Sequence, residues 1–240
     1  MSNVMTPSQT SVATIGGIEQ VRLELQQEEI HEIRKILEDL KSRYGSAESE
    51  DFLLNAALFA HQLPRRVRKV VNDFKQLEPR EAVLVVANYP IDETKVGRTP
   101  AHWKFEEDRA RVVEEEMYLV LIGTLLGECI GWSTQQAGRV VHDIAPIEAH
   151  KGEQLGSGSE QLLWWHTEDA FHPLRGDYIG MLCIRNPDAV PTTFANLKGL
   201  DELSDEHRRL LFEPHYTIRP DNSHQQKNKS DLAPEGGNLD

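Results

Sequence analysis

His166 and Glu168 are the pair in this sequence best placed to do chemistry. They stand two residues apart in Trp164-Trp165-His166-Thr167-Glu168-Asp169, where a β-prone run passes into a turn. Residues i and i+2 of a strand project from one face, so an imidazole nitrogen and a carboxylate oxygen can converge on a single ion. A second histidine brought in from elsewhere would complete a two-histidine, one-carboxylate facial triad. Such a triad leaves three positions of Fe(II) open for a bidentate co-substrate and oxygen. Taken alone, His-x-Glu is also the pattern of a half-buried histidine beside a surface glutamate, so its neighbours must decide. His172, directly before Pro173, reads as a packing histidine rather than a ligand.

The elements that must carry this pair change character along the chain. Residues 1–17 are small and polar, which predicts a flexible arm. From 21 to 44, Ile30, Ile33, Leu37 and Leu40 recur at helical spacing among charges, and Gly45 follows as a stop. A more apolar helix is expected after Ser49-Glu50-Asp51, ending before Pro64. The run 82–87 is β-branched and bounded by prolines, as a core strand would be, and 106–126 reads as a scaffold helix. Past Gly131 the pattern predicts short strands at 139–144, 162–166, 178–184, 192–197 and 216–219, interrupted by a helix capped by Ser204. The domain is thus expected over 18–219, helical to 130 and a β-core from 131. A polar loop or disordered tail is expected over 220–240.

Composition removes several function classes. The net charge of −13 repels phosphate backbones, and the basic cluster Arg65, Arg66, Arg68 and Lys69 reads as a solvated helix end rather than a nucleic-acid site. Residues 119–127, the longest nearly apolar stretch, reach about half of a bilayer span, and the N-terminus lacks the pattern of an export signal. No membrane partner is expected. Cys129 and Cys183 lie in apolar surroundings without C-x-x-C spacing, which predicts buried, reduced thiols in a cytoplasmic protein and excludes a disulfide scaffold or zinc ribbon.

The segment Trp165-His-Thr-Glu-Asp-Ala-Phe-His-Pro-Leu-Arg-Gly-Asp-Tyr-Ile-Gly-Met-Leu-Cys-Ile-Arg-Asn-Pro-Asp-Ala-Val-Pro-Thr-Thr193 closely resembles the clavaminate-synthase-like branch of the Fe(II)/2-oxoglutarate-dependent oxygenases, in particular its hydroxylases of free arginine, lysine and asparagine. Upstream, Gly131-Trp-Ser-Thr-Gln-Gln-Ala-Gly138, the run 140–146 and Leu155-Gly-Ser-Gly-Ser159 look like the same family in the same order. The resemblance implies an α+β fold: a distorted double-stranded β-helix, or jelly roll, with flanking N-terminal helices. It implies that His166 and Glu168 are two iron ligands, with Glu168 also near the substrate, and that Thr192 or Thr193 holds the carboxylate of 2-oxoglutarate. Gln135 or Gln136, and Ser157 or Ser159, match positions that bind the amino-acid substrate. The implied reaction couples oxidative decarboxylation of 2-oxoglutarate, with O2, to hydroxylation of an unactivated carbon. Arginine is favoured as substrate ahead of lysine or asparagine, in a specialised metabolite such as a peptide antibiotic. A homodimer is compatible with the pattern.

One departure stands against these matches. Members of the family continue beyond the position of Asp240, and their distal histidine ligand and 2-oxoglutarate-binding arginine lie in that continuation. His207, His215 and His224 do not stand in the distal ligand's context, nor do Arg208, Arg209 and Arg219 in that of the arginine. The β-core is therefore expected to be incomplete at its C-terminal end. An inactive remnant that serves at most as a binding or interaction protein is the alternative this departure raises.

Overall fold

The computed structural model describes residues 10–15, 18–79, 82–104, 110–195, 201–220 and 222–224. It divides into two compact units. The first is drawn from the described residues of Met1–Asp92, Met117–Glu128 and Leu182–Leu197; the second from those of Glu93–Glu116, Cys129–Met181 and Lys198–Asp240.

In the first unit, strands β1 (Thr10–Ile15) and β2 (Ile18–Glu24) form an antiparallel pair, and β2 pairs in parallel with β3 (Leu84–Ala87). Helices α1 (Gln27–Tyr44), α2 (Glu50–Ala60) and α3 (Arg65–Leu77) make the crossover from β2 to β3. Two expectations need correcting here. The span read as a flexible arm carries β1, because a strand on the edge of β2 satisfies its backbone by pairing. The helix expected from residue 21 starts six residues later. Leu23 and Leu25 are buried at strand period, and Gln26 with Glu29 forms a capping box that sets the true helix start. Gly45 closes α1 as expected, in the left-handed conformation that lacks a penalty only for glycine, and its N–H reaches Lys41 O at 2.9 Å.

Ile33, Leu37, Phe52, Leu63, Val67 and Val71 are essentially inaccessible to solvent and form the core of this unit. Tyr44, Phe52 and Phe59 pack with ring centroids 5.5–6.1 Å apart. Pro64 stops the preceding turn and caps α3, whose Arg66 is not the solvated cation expected. Its Nε donates to Glu29 Oε1 at 2.8 Å and its Nη2 to Glu24 O at 2.6 Å, binding α3 to the start of α1 and the end of β2. Burial alone would raise the Glu29 pKa, but hydrogen bonds from Arg66 and from the Gln26 N–H, and the charge of Arg66, outweigh it and hold the carboxyl below its usual range.

Short helix α4 (Glu93–Val96) precedes α5 (Val113–Leu126). The scaffold helix expected over 106–126 therefore begins at Val113 among the described residues; 105–109 lie outside them. After the acidic first turn of α5, Met117, Val120 and Leu121 are fully buried. Tyr118 stacks on Tyr89 at 4.1 Å, and burial followed by the Glu29 charge drives its phenol pKa upward.

From 131 to 219 the picture departs from the expected β-core. Helix α6 (Asp205–Leu211) forms as expected, with Ser204 Oγ accepting from the His207 N–H. None of the expected strands is paired among the described residues, and 196–200 lie outside them. A β-prone run becomes a strand only when a ladder partner takes its backbone groups, and here turns and short 3-10 segments take their place. The same lack of cover corrects the cysteine expectation: both are free, but Cys129 is half-buried and Cys183 exposed. Among the described residues no helix is long and apolar enough to cross a membrane.

Candidate metal centre

His166 and Glu168 come together as their spacing predicts. The ring Nε2 and carboxylate Oε2 lie 3.5 Å apart, and both side chains are about half exposed. His166 Nδ1 is 2.6 Å from Trp164 O. A carbonyl only accepts, so Nδ1 carries a proton, and Nε2 is the ring nitrogen that faces the Glu168 carboxylate. An imidazole anchored through one nitrogen, with the other beside a carboxylate, is the donor set that a divalent metal takes in two adjacent positions. No group of three or more His, Cys, Asp or Glu side chains suited to a metal occurs among the described residues.

The turn that carries Glu168 is held from several sides. Asp169, the next residue, has φ of +49°, a left-handed conformation that aspartate tolerates better than most residues. Its backbone carbonyl accepts from His172 N at 2.9 Å. Trp132 Nε1 donates to Asp169 Oδ2 at 2.6 Å, and His224 Nε2 lies 3.1 Å from Asp169 Oδ1. On its other side, His224 Nδ1 meets Thr134 Oγ1 at 2.6 Å. Trp132, Phe171, His172 and His224 surround this network, edge to face except for the tilted Trp132 and Phe171 pair, with centroids 4.7 to 6.2 Å apart. His172 packs against Trp132, and its Nδ1 accepts from Leu174 N, in keeping with a packing role.

The expected substrate positions have local partners of their own. Gln135 is buried and its amide donates to Ser223 Oγ. Gln136 forms two bonds to the backbone of Asp143, at 2.9 and 3.0 Å, and so pins the loop between them. Ser157 is half-buried with Oγ 2.7 Å from His150 Nδ1; Ser159 is exposed. Gly158 between them sits so close to the carbonyl of Glu153 that a Cβ would meet it at 2.5 Å, which explains glycine in this loop. The loop is tied to the approach of the His166 motif, since Gln154 Oε1 accepts from Trp164 N at 3.1 Å. Nearby, the His102 ring lies 6.1 Å from that of His150, and burial, then the charges of Lys104 and His150, lower its pKa. Thr192 and Thr193 belong to the first unit and are exposed.

Sequence reasoning missed Asp169 as part of this neighbourhood and considered His224 only against the distal ligand's context. His224 stood in a segment with nothing evident to bury, yet it is buried in a 3-10 turn, Asn222–His224. The only available signal was that a histidine followed the last predicted strand by a few residues.

No family model matches the chain. It is 41% identical over 202 residues to enduracididine beta-hydroxylase of Streptomyces hygroscopicus, covering 84% of this chain and 59% of that protein. It is 37% identical to an L-ornithine/L-arginine 3-hydroxylase of Catenulispora acidiphila, covering 88% and 61% respectively. Clavaminate synthase 2 of Streptomyces clavuligerus is 30% identical over 70% of this chain and 52% of its own length. Among solved structures, the non-heme iron oxygenase OrfP in complex with Fe, succinate and (3S)-hydroxy-L-Arg superposes with a TM-score of 0.84 at 41% identity, over 90% of this chain and 64% of that one. The chain thus spans about three fifths of the length of the first two of these relatives. The anchored His166 and Glu168 pair, the order of the motifs before it and these likenesses in sequence and fold agree, and the chain belongs to the clavaminate-synthase-like Fe(II)/2-oxoglutarate-dependent oxygenases.

Proposed function

We propose that this chain serves in Fe(II)- and 2-oxoglutarate-dependent hydroxylation of a free amino acid, with arginine favoured over lysine or asparagine. The observation that carries the reading is the convergence of His166 Nε2 and Glu168 Oε2 at 3.5 Å, with Nδ1 tied to a backbone carbonyl. It is supported by OrfP, which superposes here and whose structures hold Fe with alpha-ketoglutaric acid, L-Arg or hydroxylated arginine. Iron with bound 2-oxoglutarate would supply the activation of O2, the oxidant, with 2-oxoglutarate oxidised to succinate and CO2. The chain's own residues orient and hold. His166 and Glu168 provide two donors, Thr192 or Thr193 offers a hydroxyl to the co-substrate carboxylate, and Gln135 or Gln136 with Ser157 or Ser159 offers hydrogen bonds to the amino acid's charged groups. Both glutamines already have local partners, Gln136 at the Asp143 backbone and Gln135 at Ser223 Oγ, and either would have to exchange one to meet the amino acid. Residues 131–219 are proposed to contribute strands of the distorted double-stranded β-helix that this family resemblance implies.

The test is succinate release from 2-oxoglutarate with Fe(II) and ascorbate, in the presence of arginine, lysine, asparagine or no amino acid. Stimulation by arginine above the others is the expected result. Succinate formation that no amino acid stimulates, or that His166→Ala leaves unchanged, would overturn the reading.

A further inference from the structure

The carboxylate beside Glu168 is held more firmly than Glu168 itself. Asp169 is nine-tenths buried and uses both oxygens, one toward Trp132 and one toward His224, whose side chain is 2% exposed. His166 and Glu168, by contrast, are about half exposed. The backbone that carries Glu168 is a turn with Asp169 in the left-handed region, so the hold on Asp169 bears on where Glu168 starts from. A buried carboxylate is costly unless hydrogen-bonded, so removing either donor releases the turn. The two donors come from 37 residues before Asp169 and 55 residues after it, which makes the clamp a tertiary device rather than a local turn motif.

We infer that His224 and Trp132 are positioning residues that fix the Asp169 carboxylate, and through it the orientation of Glu168 toward His166. The inference rests on the iron-site reading of His166 and Glu168. Because Asp169 accepts, His224 presents Nε2–H to it, and its Nδ1 meets the Thr134 hydroxyl on the other side. The short turn Asn222–His224 is then the far anchor of the site, and Thr134 orients the anchor.

The test titrates this 240-residue chain with Mn(II), a redox-stable probe, and counts the free aqua ion by EPR. Outer partners of metal ligands commonly change affinity by about 10- to 100-fold, and His224→Ala is expected to weaken Mn(II) binding within that range. Trp132→Phe keeps a ring in place but removes the N–H; it should weaken binding about tenfold and decides the matter if His224→Ala fails to fold. His224→Gln, which keeps a donor for Asp169, should recover most of the loss. Ile33→Val, in the core of the first unit, should lower the unfolding midpoint without moving Mn(II) affinity, which separates positioning from general destabilisation. If His224→Ala and Trp132→Phe both fold and bind Mn(II) like the unaltered chain while His166→Ala abolishes binding, the inference is wrong and the iron site stands. If the unaltered chain binds no Mn(II), or His166→Ala binds as well as it does, the iron-site reading fails and the inference with it.

Discussion

Two stretches of nearly equal hydrophobic content behave in opposite ways. Between β2 and β3, Ile33, Leu37, Phe52 and Val67 are wholly withdrawn from solvent. Between 162 and 218, Leu162 is 93% exposed, Trp164 80% and Phe212 93%, with Ile179, Met181 and Tyr216 also open. The difference lies in how each kind of element finds its partners. A helix satisfies its own backbone and offers an apolar stripe that needs only a neighbouring stripe, and α1, α2 and α3 lie within 50 residues of one another. A strand needs a particular partner for every backbone group before its side chains have a face to bury. Hydrophobicity alone therefore predicts burial in the first stretch and not in the second.

The largest expected effect sharpens that contrast. Phe52→Ala should destabilise the chain by about 3–5 kcal/mol, because it empties the centre of the Tyr44, Phe52 and Phe59 cluster. Urea unfolding followed by far-UV circular dichroism measures it, and a loss under 1 kcal/mol would break the comparison at its stronger end.

Next comes the ion pair that joins α3 to α1. Arg66→Ala strands Glu29 in a poorly solvated site, and with side chains 20% and 10% exposed the expected loss is roughly 2–3 kcal/mol, below the value for a fully buried pair. The pair also sets a pH dependence. Glu29 has its pKa lowered in the folded state, so its contribution is present above the ordinary carboxylate value of 4.5 and is lost as pH falls through the lower folded value. Urea midpoints measured from pH 7 down to pH 3 should decline below about 4.5 in the unaltered chain and decline less in Arg66→Ala. Parallel curves would refute the link.

The smallest effect belongs to the open stretch. Ile179→Ser should change stability by no more than about 0.5 kcal/mol, since the side chain is already 66% exposed, while reducing the binding of a hydrophobic dye. A large loss of stability would mean that this surface is covered in solution, and the contrast between the two stretches would fall.

Much of the helical architecture was legible in the sequence for the reason just given. The spacing of Ile30, Ile33, Leu37 and Leu40, the stop at Gly45, the break at Pro64 and the cap at Ser204 are local signals, and each is found where it was expected. The start of α1 was misplaced because Val21, Leu23 and Leu25 fit a strand as well as a helix, and pairing with β3 decided between them. At the site, the i, i+2 spacing kept His166 and Glu168 within reach of each other, while the bonds that hold the neighbouring Asp169 come from residues far away in the chain.

What the sequence determined by itself was the set of short-range facts: helix faces, stops and caps, the His-x-Glu donor pair, and the family to which the order of motifs belongs. Only the tertiary structure decided that Arg66 closes on Glu29 across 37 residues, that Gln136 shapes a loop, and that His224 comes back to hold Asp169. These contacts join residues far apart in the chain, and no periodicity or local propensity encodes which distant donor will meet a buried carboxylate. That choice follows from the packing of whole elements, which brings the donor within reach and excludes the water that would otherwise compete for it.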